Sequence, residues 1–452
     1  MLAVHTLALW PDLPPRSLLP GVIVARLRAM SNRRSIHVHL HSGRLLTGNV
    51  QMNEIPASVS STGSIHVLAL NSGSSSLKFG LYRACQAGVE CLLTGEAESI
   101  GEASAAFHAH DLRHGTSLKE SGVIADQGAA VMRIAKFLTD SAAPSPQVIG
   151  HRVVHGGPHL RDHCVIDPSV LIALQEAVAF APVHTPPALA VIRYATQHFA
   201  GLPQVACLDT CFHAGMPPVA STLPLPSDLR AAGIRRYGFH GLSCESIVRQ
   251  LAGALPPRLI IAHLGNGASI TAVRNGASID TSMGLTPTGG LIMGTRSGDL
   301  DPGVLIYLMR EMKVDAGAME DLVDHHCGLL GLSGLAGDMR ALHAVEGSSR
   351  DARLAIEMFC YRVAKELGAM SIALGGVDQI VFTGGIGEHD EPVRAEICKR
   401  LSILGVELDE ARNKQGRGLV TRDSSHCAVQ VLPSQEDEQI ARHAWTLCRQ
   451  TT

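Results

Sequence analysis

The sequence predicts an α/β protein. Three observations carry that prediction. Short apolar runs end in glycine-rich turns at three places, helical stretches lie between them, and one strand–turn–strand plan occurs twice, about 194 residues apart. Strands alternating with helices are the pattern of α/β domains. The repeat fits a duplicated domain. The two strings share few residues, however, so duplication and two unrelated turns both stand at this point.

Residues 1–63 differ from the rest of the chain. They carry Pro11, Pro14 and Pro15, a basic stretch across Arg26–Arg44 and a polar end from Ser58 to Gly63. They read as a poorly ordered N-terminal extension, with Met30 and Met52 as further candidate starts. Their positive charges come late and the prolines interrupt any apolar core, so they do not read as a signal peptide.

The first regular element is Ile65–Leu70, a strand by composition and length. Asn71–Ser76 turns, and Leu77–Tyr82 resumes alternation. Helices are expected over Val170–Ala179 and Pro187–His198. The plan returns with the strand Leu259–Leu264, the turn Gly265–Ser269 and the strand Ile270–Val273. A further helix is expected over Asp351–Leu367. A third strand, Gln379–Thr383, ends in the glycine turn Gly384–Glu388. Helices are also expected over Glu391–Leu401 and Asp437–Leu447.

Composition excludes several classes. Hydrophobic residues make up 46% and charged residues 17%, which rules out bulk disorder. The net charge of −3 argues against a nucleic-acid partner. No apolar run reaches the ~18–20 residues of a membrane helix. Eleven scattered cysteines without a C-x-x-C pair fit reduced thiols and a cytoplasmic setting. Asp324-His325-His326-Cys327 lacks the second ligand pair that a metal centre needs.

The glycine turns are candidate phosphate cradles, because backbone N–H groups converge where no side chain intrudes. None fits the Walker or dinucleotide patterns. Lys78, just past the first turn, can reach a phosphate, or it is a solvated strand lysine. Arg152 and Arg296 each sit alone among apolar and glycine residues. A buried arginine there needs an anion, which is either an internal carboxylate or a substrate. Asp209–His213 and Tyr237–Gly241 are compact polar–aromatic clusters. Asp280 and the run Glu436-Asp437-Glu438 offer hard oxygens for Mg²⁺. The acidic run also reads as a helix N-terminus capped by Ser434.

Together these strings resemble the acetate/propionate kinase family of the actin–hexokinase superfamily. The resemblance runs from about residue 65 to 447. It rests on Val67–Lys78, on Asp280–Pro302, and on shorter strings around Arg152, His184, Asp209, His240, Gly265, Asp338 and Gly385. It implies two duplicated actin-like (ribonuclease H-like) domains with an interdomain cleft. The expected boundaries are 64–210 plus 437–452 for the first and 211–436 for the second, nucleotide-side domain. It implies phosphoryl transfer between ATP and the carboxylate of a short fatty acid, with Mg²⁺, in a homodimer. Asn71 and Glu436 would hold the metal. Lys78, Ser74 and Ser76 would lie near the phosphates. Arg152 would bind the carboxylate, and Arg296 and His240 would stabilise the transferring group. Asp209 would orient Arg152. Val154, Val183, Phe239 and Pro287 would line the acyl pocket. The nucleotide would be held by His263, Leu264, Gly265, Asn266 and Gly267, by Asp338, Met339 and Arg340, and by Gly385, Ile386, Gly387, Glu388 and His389.

A carboxylate is already ionised at pH 7, so the reaction needs charge neutralisation and alignment rather than a strong base. Val183, Leu242, Cys244, Thr288-Gly289 and His389 depart from the family pattern, and they bear on acyl and nucleotide preference. The alternatives are a propionate kinase, a sugar kinase, or a non-catalytic nucleotide switch of the heat-shock chaperone kind.

Overall fold

The computed structural model describes residues 63–450, so the expected N-terminal extension lies outside the described residues. Among these residues, fourteen strands form two sheets. The first contains β1 (Ile65–Ser72), β2 (Leu77–Cys85), β3 (Gly88–Glu98), β4 (Ala106–Asp111), β5 (Thr116–Ser121), β6 (Val148–Val153), β7 (Cys164–Val165) and β8 (Gln204–Leu208). Its order is β5-β4-β3-β2-β1-β6-β8-β7. The second contains β9 (Arg258–Leu264), β10 (Ala268–Arg274), β11 (Ala277–Thr281), β12 (Gln379–Thr383), β13 (Gly418–Leu419) and β14 (Ala428–Val431), in the order β11-β10-β9-β12-β14-β13.

The two sheets share a central plan. β3-β2-β1-β6-β8 and β11-β10-β9-β12-β14 have the same order. In each, the hairpin is antiparallel and the next two pairings are parallel.

β1 is apolar almost throughout because both its faces are covered. Leu68 and Leu70 pack with Val131, Ile134 and Val191 on one side. Val67 and Ala69 pack with Ile440, Ala441 and Ala444 on the other. β9 repeats the arrangement. Ile260 and Ala262 meet Phe359 and Val363 of the long helix Arg350–Leu374. Leu259 and Ile261 meet Cys244 and Ile247 of the helix Gly241–Gln250. The C-terminal helix Glu436–Gln450 thus lies on the first sheet. Gly150 of β6 makes that contact possible, since a Cβ there would come within 2.5 Å of Ile440 Cγ2.

Two local expectations are corrected. Gly384–His389 is a one-turn helix rather than an open glycine turn. Ser434 does not cap the last helix: its hydroxyl donates to Ser243 Oγ and its N–H donates to Glu388. The expected helices are present with shifted ends, and Asp351–Leu367 extends to Arg350–Leu374. No helix among the described residues is long and apolar enough to cross a membrane.

Candidate active site

A cavity of about 860 Å³ opens between the two sheets. It lies at the turn ends of the β1–β2 and β9–β10 hairpins and at the carboxyl ends of β6, β8 and β12. That is where open α/β sheets present ligand sites.

The first wall is built from the first sheet and the start of the C-terminal helix. β1–β2 register sets Asn71 beside Lys78. Asn71 Nδ2 donates to Glu436 Oε2 at 3.1 Å and to Asp437 Oδ1 at 2.8 Å. Its Oδ1 accepts from Arg152 Nη1 at 3.1 Å. Arg152 Nε and Nη2 both donate to Asp209 Oδ2, at 2.8 and 2.6 Å. Burial opposes the charge on Arg152, but Asp209, Glu436 and Asp437 hold its pKa above the ordinary value. Burial raises the Asp209 carboxyl, with Arg152 pulling against it. Burial also acts on Glu436, where Arg152, His263 and Asn71 outweigh it and hold the carboxyl low. Asp437 is raised by burial, and the neighbouring Glu436 adds to that. Asp209 Oδ1 is buried without a hydrogen-bond partner among the described residues.

The second wall is built from the second sheet and carries cations and histidines. His240 has a left-handed backbone (φ 58°) at the head of the helix Gly241–Gln250. A non-glycine residue held there stores strain of order 1 kcal/mol. Its Nδ1 is 2.9 Å from Ser269 Oγ, and its ring stacks on His263 at 4.2 Å. β9–β10 register pairs His263 with Ser269, which places both beside His240. His263 Nδ1 bonds Ser243 Oγ at 2.8 Å. Burial, then the nearby His263 and both arginines, holds His240 well below its ordinary pKa, so it is neutral. His184 is pushed down to about 3 by burial and the two arginines.

Arg296 donates to Pro287 O at 2.7 Å. No carboxylate among the described residues lies within 4.0 Å of it, and burial pulls its pKa down to about 10. Gly267 lies opposite. A Cβ there would sit 2.8 Å from Arg296 Nη2 and 3.1 Å from His240 Nε2. The missing side chain leaves room for an anion at the point where these two donors converge.

Most of the sequence-predicted residues come together. Asn71, Ser74, Ser76, Lys78, Arg152, Val154, Asp209, Phe239, His240, His263, Gly265, Asn266, Gly267, Pro287, Arg296, Gly385, Glu388, His389 and Glu436 line the cavity. Others do not. Leu264 and Met339 are core residues. Gly387 is buried within the one-turn helix, and Ile386 packs on the core. Asp338 caps the helix Met339–Val345 and pairs with the exposed Arg340. Val183 is absent from the lining, which its neighbour His184 joins. Asp280 accepts from the Thr281 N–H and is likewise absent.

Sequence reading missed His184 and Ser269 as participants, whereas Asp437, read there as a source of hard oxygens, lines the cavity. Asn71, expected at the metal, accepts from Arg152 through its oxygen and donates to both Glu436 and Asp437 through its nitrogen. Glu436 and Asp437 supply the hard oxygens that suit Mg²⁺.

The model of the Acetokinase family matches residues 66–442. The chain belongs to the acetokinase family. Its relatives include an acetate kinase of Methylocella silvestris, 42% identical over 400 aligned residues, with 85% of this chain and 98% of the relative covered. An acetate kinase of Rhodopseudomonas palustris is 40% identical over 402 residues, with 84% and 98% covered. Among solved structures, a propionate kinase from Francisella tularensis aligns with a TM-score of 0.79 at 35% identity, over 85% of this chain and 100% of that one. Porphyromonas gingivalis acetate kinase aligns at 0.75 and 34%, over 85% and 100%. The actin-like α/β class expected from the sequence is the fold of these acetokinase-family structures.

Proposed function

We propose that this chain catalyses reversible, Mg²⁺-dependent phosphoryl transfer between ATP and acetate, giving acetyl phosphate and ADP. The observation that carries the reading is the convergence of Arg152, Arg296 and His240 on one cavity, facing Glu436 and Asp437. A phosphoryl group passing between two oxygens spreads negative charge over its equatorial oxygens, and donors fixed in advance stabilise it there.

Each residue then has a role. Arg152, held by Asp209, receives the carboxylate beside Val154, Phe239 and Pro287. Arg296 meets the transferring group. With the Ser269 hydroxyl donating to Nδ1, neutral His240 keeps its proton on Nε2, aimed at the same point. Glu436 and Asp437 would hold Mg²⁺, which supplies charge compensation for the phosphates. Lys78, the Ser74–Ser76 turn, the His263–Gly267 turn and Gly385 take the nucleotide. Asp209 is a positioning residue, because acetate needs no base to ionise it.

We assign two domains, 64–210 with residue 437 onward and 211–436, which close over the substrates and exclude water. The protein acts as a homodimer. The helix Pro302–Glu311 buries no residue of its own, and Val304, Ile306, Tyr307 and Met309 are exposed on it. A patch of that kind needs a partner, and sedimentation would read the dimer. Cysteines that form no disulfide among the described residues suit a reducing cytoplasm.

The test is a hydroxamate assay with ATP and Mg²⁺ on acetate, propionate and butyrate. Acyl phosphate from acetate, lost in Arg296→Ala, is expected. ATP binding without acyl phosphate from any acid would sink the proposal.

A further inference from the structure

A second, smaller cavity of about 220 Å³ lies behind the acyl pocket, walled by Gly157, Pro158, Tyr237 and Gly233. Four arginines line it: Arg161, Arg230, Arg235 and Arg236. Arg236 is committed to structure. Its Nε donates to Ala220 O, and its Nη1 donates to the carbonyls of Thr281, Ser282 and Met283.

The other three are not so engaged. Arg161 donates to Ala214 O, Arg235 donates weakly to Arg236 O, and Arg235 also lies over the Tyr237 ring at 5.9 Å. No carboxylate among the described residues comes within 4.0 Å of Arg161, Arg230 or Arg235, although Asp162 and Asp228 are close in sequence. Arg161, Arg235 and Tyr237 all line the cavity, and both arginines act electrostatically on the Tyr237 phenol. Guanidinium groups gathered without counterions repel one another, and an oxyanion removes that cost by bridging them bidentately.

We propose that this cavity is an anion site for a phosphate dianion, either free or as a small phosphomonoester, distinct from the cleft. About a quarter the volume of the main cavity, it has no room for a nucleotide. It is also wired to the acyl pocket. Tyr237 stands 4.4 Å from the His155 ring, and His155 stands 5.4 Å from Phe239, which lines the cleft. Tyr237 N–H donates to Gly284 O at 2.9 Å, three residues before Pro287. An occupant that draws in Arg235 therefore acts on the segment ending at Phe239 and His240. The site stands on its own residues and does not depend on the reaction assigned to the cleft.

The test is calorimetric titration of the full chain, with the cleft saturated by ADP, Mg²⁺ and acetate. The probes are inorganic phosphate in one arm and glycerol 3-phosphate in the other. One phosphate per chain is expected, weakened at least tenfold in Arg161→Ala/Arg235→Ala and weakened by added salt. That variant should keep its melting temperature and acyl phosphate formation within about twofold of the parent when no phosphate is added. Arg296→Ala should bind the probe as the parent does. Tighter binding of glycerol 3-phosphate would assign an ester as the occupant, and equal or weaker binding would assign free phosphate. Binding that vanishes in Arg296→Ala but survives in the double variant would place the anion in the cleft and overturn the proposal. So would the absence of any second binding event.

Discussion

Arg152 and Arg296 face the same cavity, but they arrive there in different company. Arg152 carries two hydrogen bonds to Asp209 and one to Asn71, and its charge is balanced before any substrate binds. Arg296 has a backbone carbonyl, with His240 and Gly267 beside it, and its nearest carboxylate influence, Asp324, forms no ion pair with it among the described residues. One wall is finished without ligand; the other holds positive charge in reserve. The internal carboxylate considered for both arginines is present for Arg152 alone. A transferring phosphoryl group is anionic and transient, so the donor kept free of a permanent partner is the one suited to meet it.

The largest expected effect tests that asymmetry directly. Arg296→Ala should lower kcat at least ~10²-fold, the scale of losing one transition-state donor. Its melting temperature should hold or rise, because the substitution deletes a buried cation with no carboxylate. Arg152→Ala should raise the acetate KM and also destabilise the fold by about 3–5 kcal/mol, because it strands the buried Asp209. Paired thermal melts and steady-state kinetics would read both. Equal destabilisation by the two would break the comparison.

Next comes Gly267→Ala, which would push a methyl group between Arg296 Nη2 and His240 Nε2. We expect kcat to fall at least tenfold with the fold intact by circular dichroism. A smaller effect is expected from Ser269→Ala, which frees the His240 tautomer. It should cost about tenfold in kcat, the scale of one neutral hydrogen bond, while the acetate KM stays unchanged.

The smallest effect concerns the tie between the walls rather than the walls themselves. Glu245 bonds His443 Nε2 at 2.6 Å and His163 Nε2 at 3.2 Å, joining the helix Gly241–Gln250 to the C-terminal helix. The cluster has the composition of a metal site. However, Leu208 N–H donates to His163 Nδ1, which leaves the proton of the neutral ring on Nε2 and closes that nitrogen to an ion. Burial works to raise the Glu245 carboxyl, but the two histidines outweigh it and hold it at about 2. A depressed folded-state pKa gives stability that is present above the ordinary value of 4.5 and lost as the pH falls toward 2. Glu245→Gln should therefore melt a few degrees lower at pH 7, with the gap narrowing below pH 5. A constant gap across that range would count against the histidine tie.

Much of this is legible in the sequence. Both hairpins are readable because an apolar run beside a glycine turn has few other structures open to it. Arg152 and Arg296 stand out as charges in apolar strings. The features that escape a sequence reading depend on long-range register. Ser269 matters because β9–β10 pairing sets it beside His263, and the bond from Asn71 to Asp437 joins residues 366 positions apart. Gly384–His389 misleads because three glycines suggest a turn. Yet Ile386 packs on the core and the Gly384 N–H donates to Glu388 Oε1, which together wind the segment into a helix. Leu264 and Met339 sit within convincing strings, and strings do not say which side chains face inward.

The bond from Asn71 to Glu436 joins residues 365 positions apart. During synthesis, the first hairpin therefore emerges long before the carboxylates that complete it. Until residue 437 has left the ribosome, the nascent chain holds Asn71, Arg152 and Asp209 without Glu436 and Asp437, the acids that complete this wall. Contacts this distant in sequence form late and slowly. Activity should accordingly appear only with the last helix, as a single step at the end of folding.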